Sequence, residues 1–238
     1  MDEQTSPKAN IDEARISGFG GRLQLMPQLF DHFYRVTWDI LSAPRKPRKG
    51  KKGNCAIVVS SCNRGEGAST VALNLATAFS SSSNKSTVLI DGNLRNPMLH
   101  KYFSTDRGRG LTELIQGEIG LAQAVAEVKA ERFYFISAGR EVQNPILLFE
   151  TPQFQGVLDE LRAIYDLILF DSAPVIYPET PILASAADGV ILVLESEATR
   201  WEVASAVKQN LETAHATVLG AILNKREYYI PPAIYHLL

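Results

Sequence analysis

The stretch from Ala56 to Ala78, AIVVSSCNRGEGASTVALNLATA, restricts the possible folds more than any other part of the chain. An apolar, β-branched run (Ala56, Ile57, Val58, Val59) halts at Ser60 and Ser61, and a small polar turn bearing glycine follows from Cys62 to Gly67. Ser69-Thr70 then opens a segment in which Val71, Leu73, Leu75, Ala76 and Ala78 recur at helical spacing. Strand, glycine turn and helix make up a phosphate-binding loop, in which backbone N–H groups and the helix dipole converge on an anion. The pattern for such a loop is G-x-x-x-x-G-K-[ST]. Cys62 stands at its first glycine and Ala68 at its lysine, so the sequence predicts the cradle without its cation.

The remaining totals exclude more than they specify. A chain of 238 residues, 45% hydrophobic and 21% charged, suits one large α/β domain or one domain with tails. A net charge of −2 gives no pull toward nucleic acid. Cys55 and Cys62 have no companion cluster of Cys or His, which argues against a disulfide framework or zinc site and suits a reducing compartment. No apolar run reaches the roughly 20 residues that a bilayer span needs. The first residues, MDEQTSPKANIDEAR, are polar and acidic, unlike a secretory signal, so the expected location is cytoplasmic.

The chain divides on composition into a flexible tail (1–28), a helix with a basic linker (29–53), a phosphate-loop domain (54–226) and a C-terminal tail (227–238). Leu29 to Leu41 reads as an amphipathic helix with Phe30, Phe33, Tyr34, Trp38 and Leu41 on one side, a face for the main domain or for a partner. In the linker, Arg45, Lys46, Arg48, Lys49, Lys51 and Lys52 are interrupted by prolines and glycines. It is either a solvated tether or a contact with the inner membrane face, where each basic residue contributes about 1 kcal/mol. Beyond it, strands are expected at Cys55–Ser61, Thr87–Asp91, Arg132–Ser137, Asp166–Asp171, Gly189–Glu195 and Val218–Asn224. Helices are expected at Thr70–Phe79, Leu121–Val128, Pro152–Ile164, Pro181–Ala187 and Trp201–Thr213, with Ser80–Ser83 a helix terminus and loop. Continuously apolar strands alternating with helices predict a doubly wound, mostly parallel sheet with helices on both faces, binding ligand at the strands' carboxyl ends.

Four polar groups fall at those ends. The first is the loop, where Gly65 and Gly67 permit close approach and Ser69 holds the position whose hydroxyl ligates Mg²⁺. Asp171 ends YDLILFD, where an aspartate either holds the magnesium shell or caps the next turn. Asp91-Gly92-Asn93 ends VLID and places a carboxylate facing the same site, and Asn224 ends VLGAILN, to bond a base edge or simply terminate the strand.

On these residues the chain resembles the cytoplasmic domain of bacterial tyrosine autokinases (BY-kinases), members of the deviant-Walker, ParA/MinD-like P-loop superfamily. The matching segments are SSCNRGEGAST, VLIDGNLRNPMLHKYF, GLTELIQGE, FISAGREVQNPILLFETPQFQGVLDELRAIYDLILFDSAPV and ADGVILVLESEATRWEVASAVKQNLE with VLGAILNK, collinear from about Asn54 to Lys225. The resemblance implies ATP or ADP with Mg²⁺ held by a Walker A loop from Ser60 to Thr70, with Asn63, Arg64, Gly65, Glu66, Gly67, Ala68, Ser69 and Thr70 around the phosphates. It places Asp91 and Asn93 on the two Walker A′ aspartates, Asp171 on Walker B and Asn224 against adenine. The metal ligands it implies are Ser69, Asp171 and Asp91, and Arg95, Pro97 and His100 match the stretch after Walker A′. It further implies a role in capsule or exopolysaccharide polymerisation and export, self-association, and recruitment to the inner face of the membrane by a separate membrane-spanning co-polymerase partner.

Departures from the pattern are specific. Ala68 removes the cation that meets the β- and γ-phosphates, and Asn93 replaces a carboxylate. Arg64 either substitutes for the lost lysine or is an exposed arginine. Against the family's oligomerisation motif E-x-x-R-x-x-R the chain offers His32, Arg35 and Trp38, and its C-terminal tyrosines are only Tyr228, Tyr229 and Tyr235. The expectation is a degenerate kinase acting as a regulatory or scaffold subunit. The alternatives are an active tyrosine autokinase and, with less support from RNPMLH and QNPILL, a ParA/MinD-like positioning ATPase.

Overall fold

Seven strands build one sheet in the order β3-β4-β2-β5-β1-β6-β7. The structure, a computed structural model, describes residues 35, 54–82, 85–103, 105, 108–128 and 132–225. Apart from Arg35, which is helical, the expected N-terminal helix lies outside the described residues, as do the basic linker and the C-terminal tyrosines. In chain order the elements are β1 (Cys55–Ser61), α1 (Ala68–Ser82), β2 (Thr87–Asp91), α2 (Leu99–Phe103), α3 (Leu111–Ile115), α4 (Leu121–Ala124), β3 (Val125–Val128) and β4 (Phe133–Ile136). They continue with α5 (Pro145–Phe149), α6 (Pro152–Ile164), β5 (Leu167–Asp171), α7 (Glu179–Ala186), β6 (Gly189–Glu195), α8 (Trp201–Thr213) and β7 (Val218–Asn224). Among the described residues no helix is long and apolar enough to cross a membrane.

The central strand explains the apolar runs. All seven residues of β1 are buried. Successive side chains point to opposite faces of a sheet, so Ala56 and Val58 enter one core while Cys55, Ile57 and Val59 enter the other. Helices α1 and α2 cover the second face through Val71, Leu75, Phe79, Leu99 and Phe103. The first face is covered by residues of α3, α6, α7 and α8, among them Leu114, Leu158, Leu183 and Leu211. With both faces dry, polar groups are left to the strand ends.

The structure departs from the sequence reading in three places. The pattern over Leu121–Val128 predicts one helix, but α4 stops at Ala124 and the chain becomes β3, antiparallel to β4 with Val125 opposite Ile136 and Val128 opposite Phe133. An available sheet edge overrode a weak local helical preference at β-branched residues. The helices α2, α3 and α5 are five residues each, too short to show a period. Helix α1 extends through Ser82 rather than ending at Phe79, and Ser80 is buried with its hydroxyl donating to the Thr77 carbonyl at 3.1 Å.

A buried ion pair anchors the amino end of the central strand. Asp188 Oδ2 accepts from the Ala56 N–H at 2.8 Å and from Arg162 Nη1 at 2.6 Å. Their side chains are only 9% and 10% exposed for Arg162 and Asp188 respectively. Asp188→Ala strips the guanidinium of this partner, and breaking such a pair costs about 3–5 kcal/mol. Urea denaturation should show the midpoint falling accordingly at unchanged slope.

Candidate phosphate and metal site

The site begins where β1 runs out at Ser61. Gly65 and Gly67 have φ of +86° and +95°, a region open to glycine and strained for other residues. A Cβ on Gly67 would also stand 2.2 Å from Asn224 Nδ2, so the end of β7 closes directly on the loop. Immediately after Gly67, α1 starts at Ala68, and the Val71 N–H reaches the Gly67 carbonyl at 3.0 Å. This is the strand, turn and helix that the sequence predicts.

A cavity of about 260 Å³ opens above the loop, lined by Arg64, Ala68, Ser69, Asn93, Arg95 and Tyr177 among others. Gly65, Gly67 and Thr70 line it too. The structure therefore brings together most of the loop residues assigned to phosphate. Ala68 presents a methyl group where a lysine would have reached in.

Three of the expected ligand-binding residues are engaged elsewhere. Glu66 is buried, and its Oε2 accepts from the N–H groups of Cys62 at 2.8 Å and Asn63 at 3.1 Å. Its Oε1 accepts from Asn63 Nδ2 at 3.0 Å and from the Thr199 hydroxyl at 2.6 Å. The carboxylate thus folds the loop onto itself and pins it to the turn after β6, so Glu66 and Asn63 shape the cradle. Asn224 donates from Nδ2 to the Glu66 carbonyl at 2.9 Å, which directs its amide to the back of the loop.

The carboxylates are set by strand register. Asp91 pairs across from Asp171 at the carboxyl ends of adjacent parallel strands β2 and β5. Both are buried. Asp91 Oδ2 accepts from the N–H groups of Met98 and Leu99 at 3.1 and 3.0 Å, holding the turn into α2. Neither oxygen of Asp171 has a hydrogen-bond partner of ordinary geometry. Burial, reinforced by the charge of Asp91, pushes the Asp171 carboxyl well above the usual carboxylate range, and the Ser69 hydroxyl opposes that shift. Two buried carboxyl groups, one with open oxygens, beside a loop hydroxyl suit a hard cation such as Mg²⁺. The donor set fits the ion that the sequence implies, with Asp171, Asp91 and Ser69 as the residues to hold it.

Asn93 lines the same cavity, and its Oδ1 accepts from the Asn96 N–H at 3.1 Å. Sequence reading missed Tyr177, Glu179 and Thr199. Glu179 is buried and takes a two-point contact from Arg95, from Nε to Oε1 and from Nη2 to Oε2 at 3.0 Å. Tyr177 sits in a proline-flanked turn after β5 and offers no pattern of its own. Thr199 lies in ESEATRW, a segment already matched to the kinases, and was legible only there.

No protein-family model matches the chain. The tyrosine-protein kinase YwqD of Bacillus subtilis (strain 168) is 32% identical over 173 residues, covering 72% of this chain and 73% of that protein. The tyrosine-protein kinase CpsD of Streptococcus pneumoniae is 32% identical over 171 residues, 71% of this chain and 75% of that protein. Among solved structures, the VpsO kinase domain superposes with a TM-score of 0.71 at 28% identity, covering 84% of this chain and 98% of that one. The MinD protein of Pyrococcus horikoshii OT3 complexed with Mg-ADP, at 23% identity and a TM-score of 0.62 over 76% of this chain and 75% of that one, shares the fold.

The raised pKa of Asp171 has a consequence for the unliganded protein. A carboxyl whose folded-state pKa is raised favours folding while protonated. Its contribution is full below the ordinary carboxylate range and is lost as pH rises through the elevated folded value. Asp171→Asn keeps the shape and removes the charge, so it should melt above wild type at neutral pH and converge with it in acid. Thermal melts across that range check this, and an unchanged pH slope would acquit Asp171 as its source.

Proposed function

The chain belongs to the bacterial tyrosine-kinase (BY-kinase) family, and from that premise we propose that it is a degenerate member serving as a regulatory or scaffold subunit of capsule or exopolysaccharide biosynthesis. Ala68 at the cavity wall carries this reading. Phosphoryl transfer relies on cations that neutralise charge developing on the γ-phosphate. The loop lacks the lysine that performs this in an intact motif, and Asn93 provides neither negative charge nor a base at the second Walker A′ position. The loss of a cation and a carboxylate from one site argues for weak or absent turnover.

In this proposal the backbone from Arg64 to Thr70 receives the phosphates of ATP or ADP, with Asn63 tied to Glu66 at the base of the loop. Ser69, Asp171 and Asp91 hold Mg²⁺, which would supply positive charge between the phosphates and the two carboxylates. Glu66 and Asn224 contribute by keeping the loop in shape. The protein works in the cytoplasm, recruited to the inner membrane face by a membrane-spanning co-polymerase. The basic segment between Arg45 and Lys52 adds attraction to anionic lipid. Self-association belongs to the same proposal.

The second reading, an active autokinase, is favoured by the intact Asp91 and Asp171 pair and by the names of the relatives. A phosphotyrosine blot of protein expressed in cells separates the two. The degenerate reading expects no signal above that of Asp171→Ala, while a wild-type signal lost in Asp171→Ala would establish the autokinase.

If the cavity takes phosphate, restoring the cation should strengthen binding. A hydrogen bond to a charged group is worth roughly 1.5–3 kcal/mol, so Ala68→Lys should tighten MgADP by about one to two decades. Calorimetric titration measures this directly, and unchanged affinity would show that the cavity does not serve phosphate.

A further inference from the structure

Two cations remain at the cavity edged by Ala68, and their situations differ. Arg95 is committed, because the buried Glu179 carboxylate takes both its Nε and its Nη2. Arg64 has no carboxylate partner among the described residues. Its contact is the ring of Tyr177, with Cζ 5.3 Å from the ring centroid. Arg95 stands over the same ring at 5.1 Å. Tyr177 thus gathers two guanidiniums on one wall of the cavity.

A ring quadrupole attracts a cation without neutralising it. The charge of Arg64 therefore stays available to an anion, and its guanidinium fork matches phosphate oxygens in a way that a point charge does not. Arg64 is carried by the loop itself, next to Gly65, and is exposed to solvent, where side chains change rotamer within nanoseconds. Ser69, which lines the cavity, also faces the buried Asp171 beside Asp91, so the anion that suits this site arrives with a divalent cation.

We propose that Arg64 is the phosphate-binding cation of this loop, assuming the charge role left vacant at Ala68 and kept at the cavity rim by Tyr177 until a magnesium-bound polyphosphate enters. The proposal rests on the reading that the loop still receives a nucleotide. It changes what that loop is, from a cradle without a cation to one whose cation has moved four positions toward β1.

The test is calorimetric titration of MgADP and of magnesium pyrophosphate against wild type, Arg64→Ala, Ala68→Lys and the double variant. Arg64→Ala should weaken both ligands about 10- to 100-fold while leaving the melting temperature of the unliganded protein unchanged. Ala68→Lys should gain more affinity in the Arg64→Ala background than in wild type, because one cation then replaces the other, and equal gains in both backgrounds would overturn the proposal. If Arg64→Ala binds like wild type, the proposal is overturned and the nucleotide site stands. If wild type binds neither ligand, the proposal is also overturned. Failure of Ala68→Lys as well would bring down the reading of the loop as a phosphate site.

Discussion

The structure depends on β1 being dry on both faces and paired on both edges. It lies between β5 and β6, with α1 over one face and α8 among the helices over the other. A strand so enclosed keeps its polar side chains, Ser60 and Ser61, to its carboxyl end. Its hydrogen-bonding groups are satisfied by parallel neighbours, and the chain can meet water or a ligand only where the strand ends. The loop from Cys62 to Gly67 is therefore positioned by burial before any ligand contributes. Register does the same for the carboxylates, because pairing Leu89 with Leu169 forces Asp91 beside Asp171 two residues later.

The cost of that arrangement is electrostatic. Two buried carboxyl groups side by side raise the pKa of Asp171, and its oxygens lack the hydrogen bonds that buried polar atoms normally keep. Such a pair is poised for a cation or a proton. In an intact loop a lysine and a magnesium ion share the task of balancing carboxylates and phosphates. Here the lysine position is a methyl group, and the cations on the cavity wall are arginines. Arg95 has its own carboxylate, and Arg64 has an aromatic ring. The loop is shaped from within by Glu66, whose contacts tie its turn to Thr199 and, through its carbonyl, to Asn224. None of those contacts involves position 68 or 93, so the shape of the loop does not depend on either side chain.

Several elements were legible because one local rule decided them. The extents of β1, β2, β6, β7, α6 and α8 follow from apolar runs and helical periods bounded by turns. The segment Val125–Val128 was not legible as a strand, because its state was settled by the free edge of β4, a partner that no local window of sequence contains. Glu66 and Asn224 were expected around nucleotide because they fall in matched motifs. Their side chains instead satisfy the loop's own donors and acceptors, a choice made by which groups lie within reach once β7 is in place. Tyr177 had no signal at all, being one tyrosine in a turn until two arginines close on it.

By itself, the sequence determined the strand, glycine turn and helix of the loop, the doubly wound class, the strand-end carboxylates and the alanine at position 68. Each of these is a matter of residue type and spacing along a continuous segment. Only the tertiary structure decided which charges are already spent. Glu179, 84 residues from Arg95, neutralises one guanidinium, while no carboxylate among the described residues pairs with the other. Charge compensation is a property of distance in space, and the chain order of Arg64, Arg95, Tyr177 and Glu179 does not contain it.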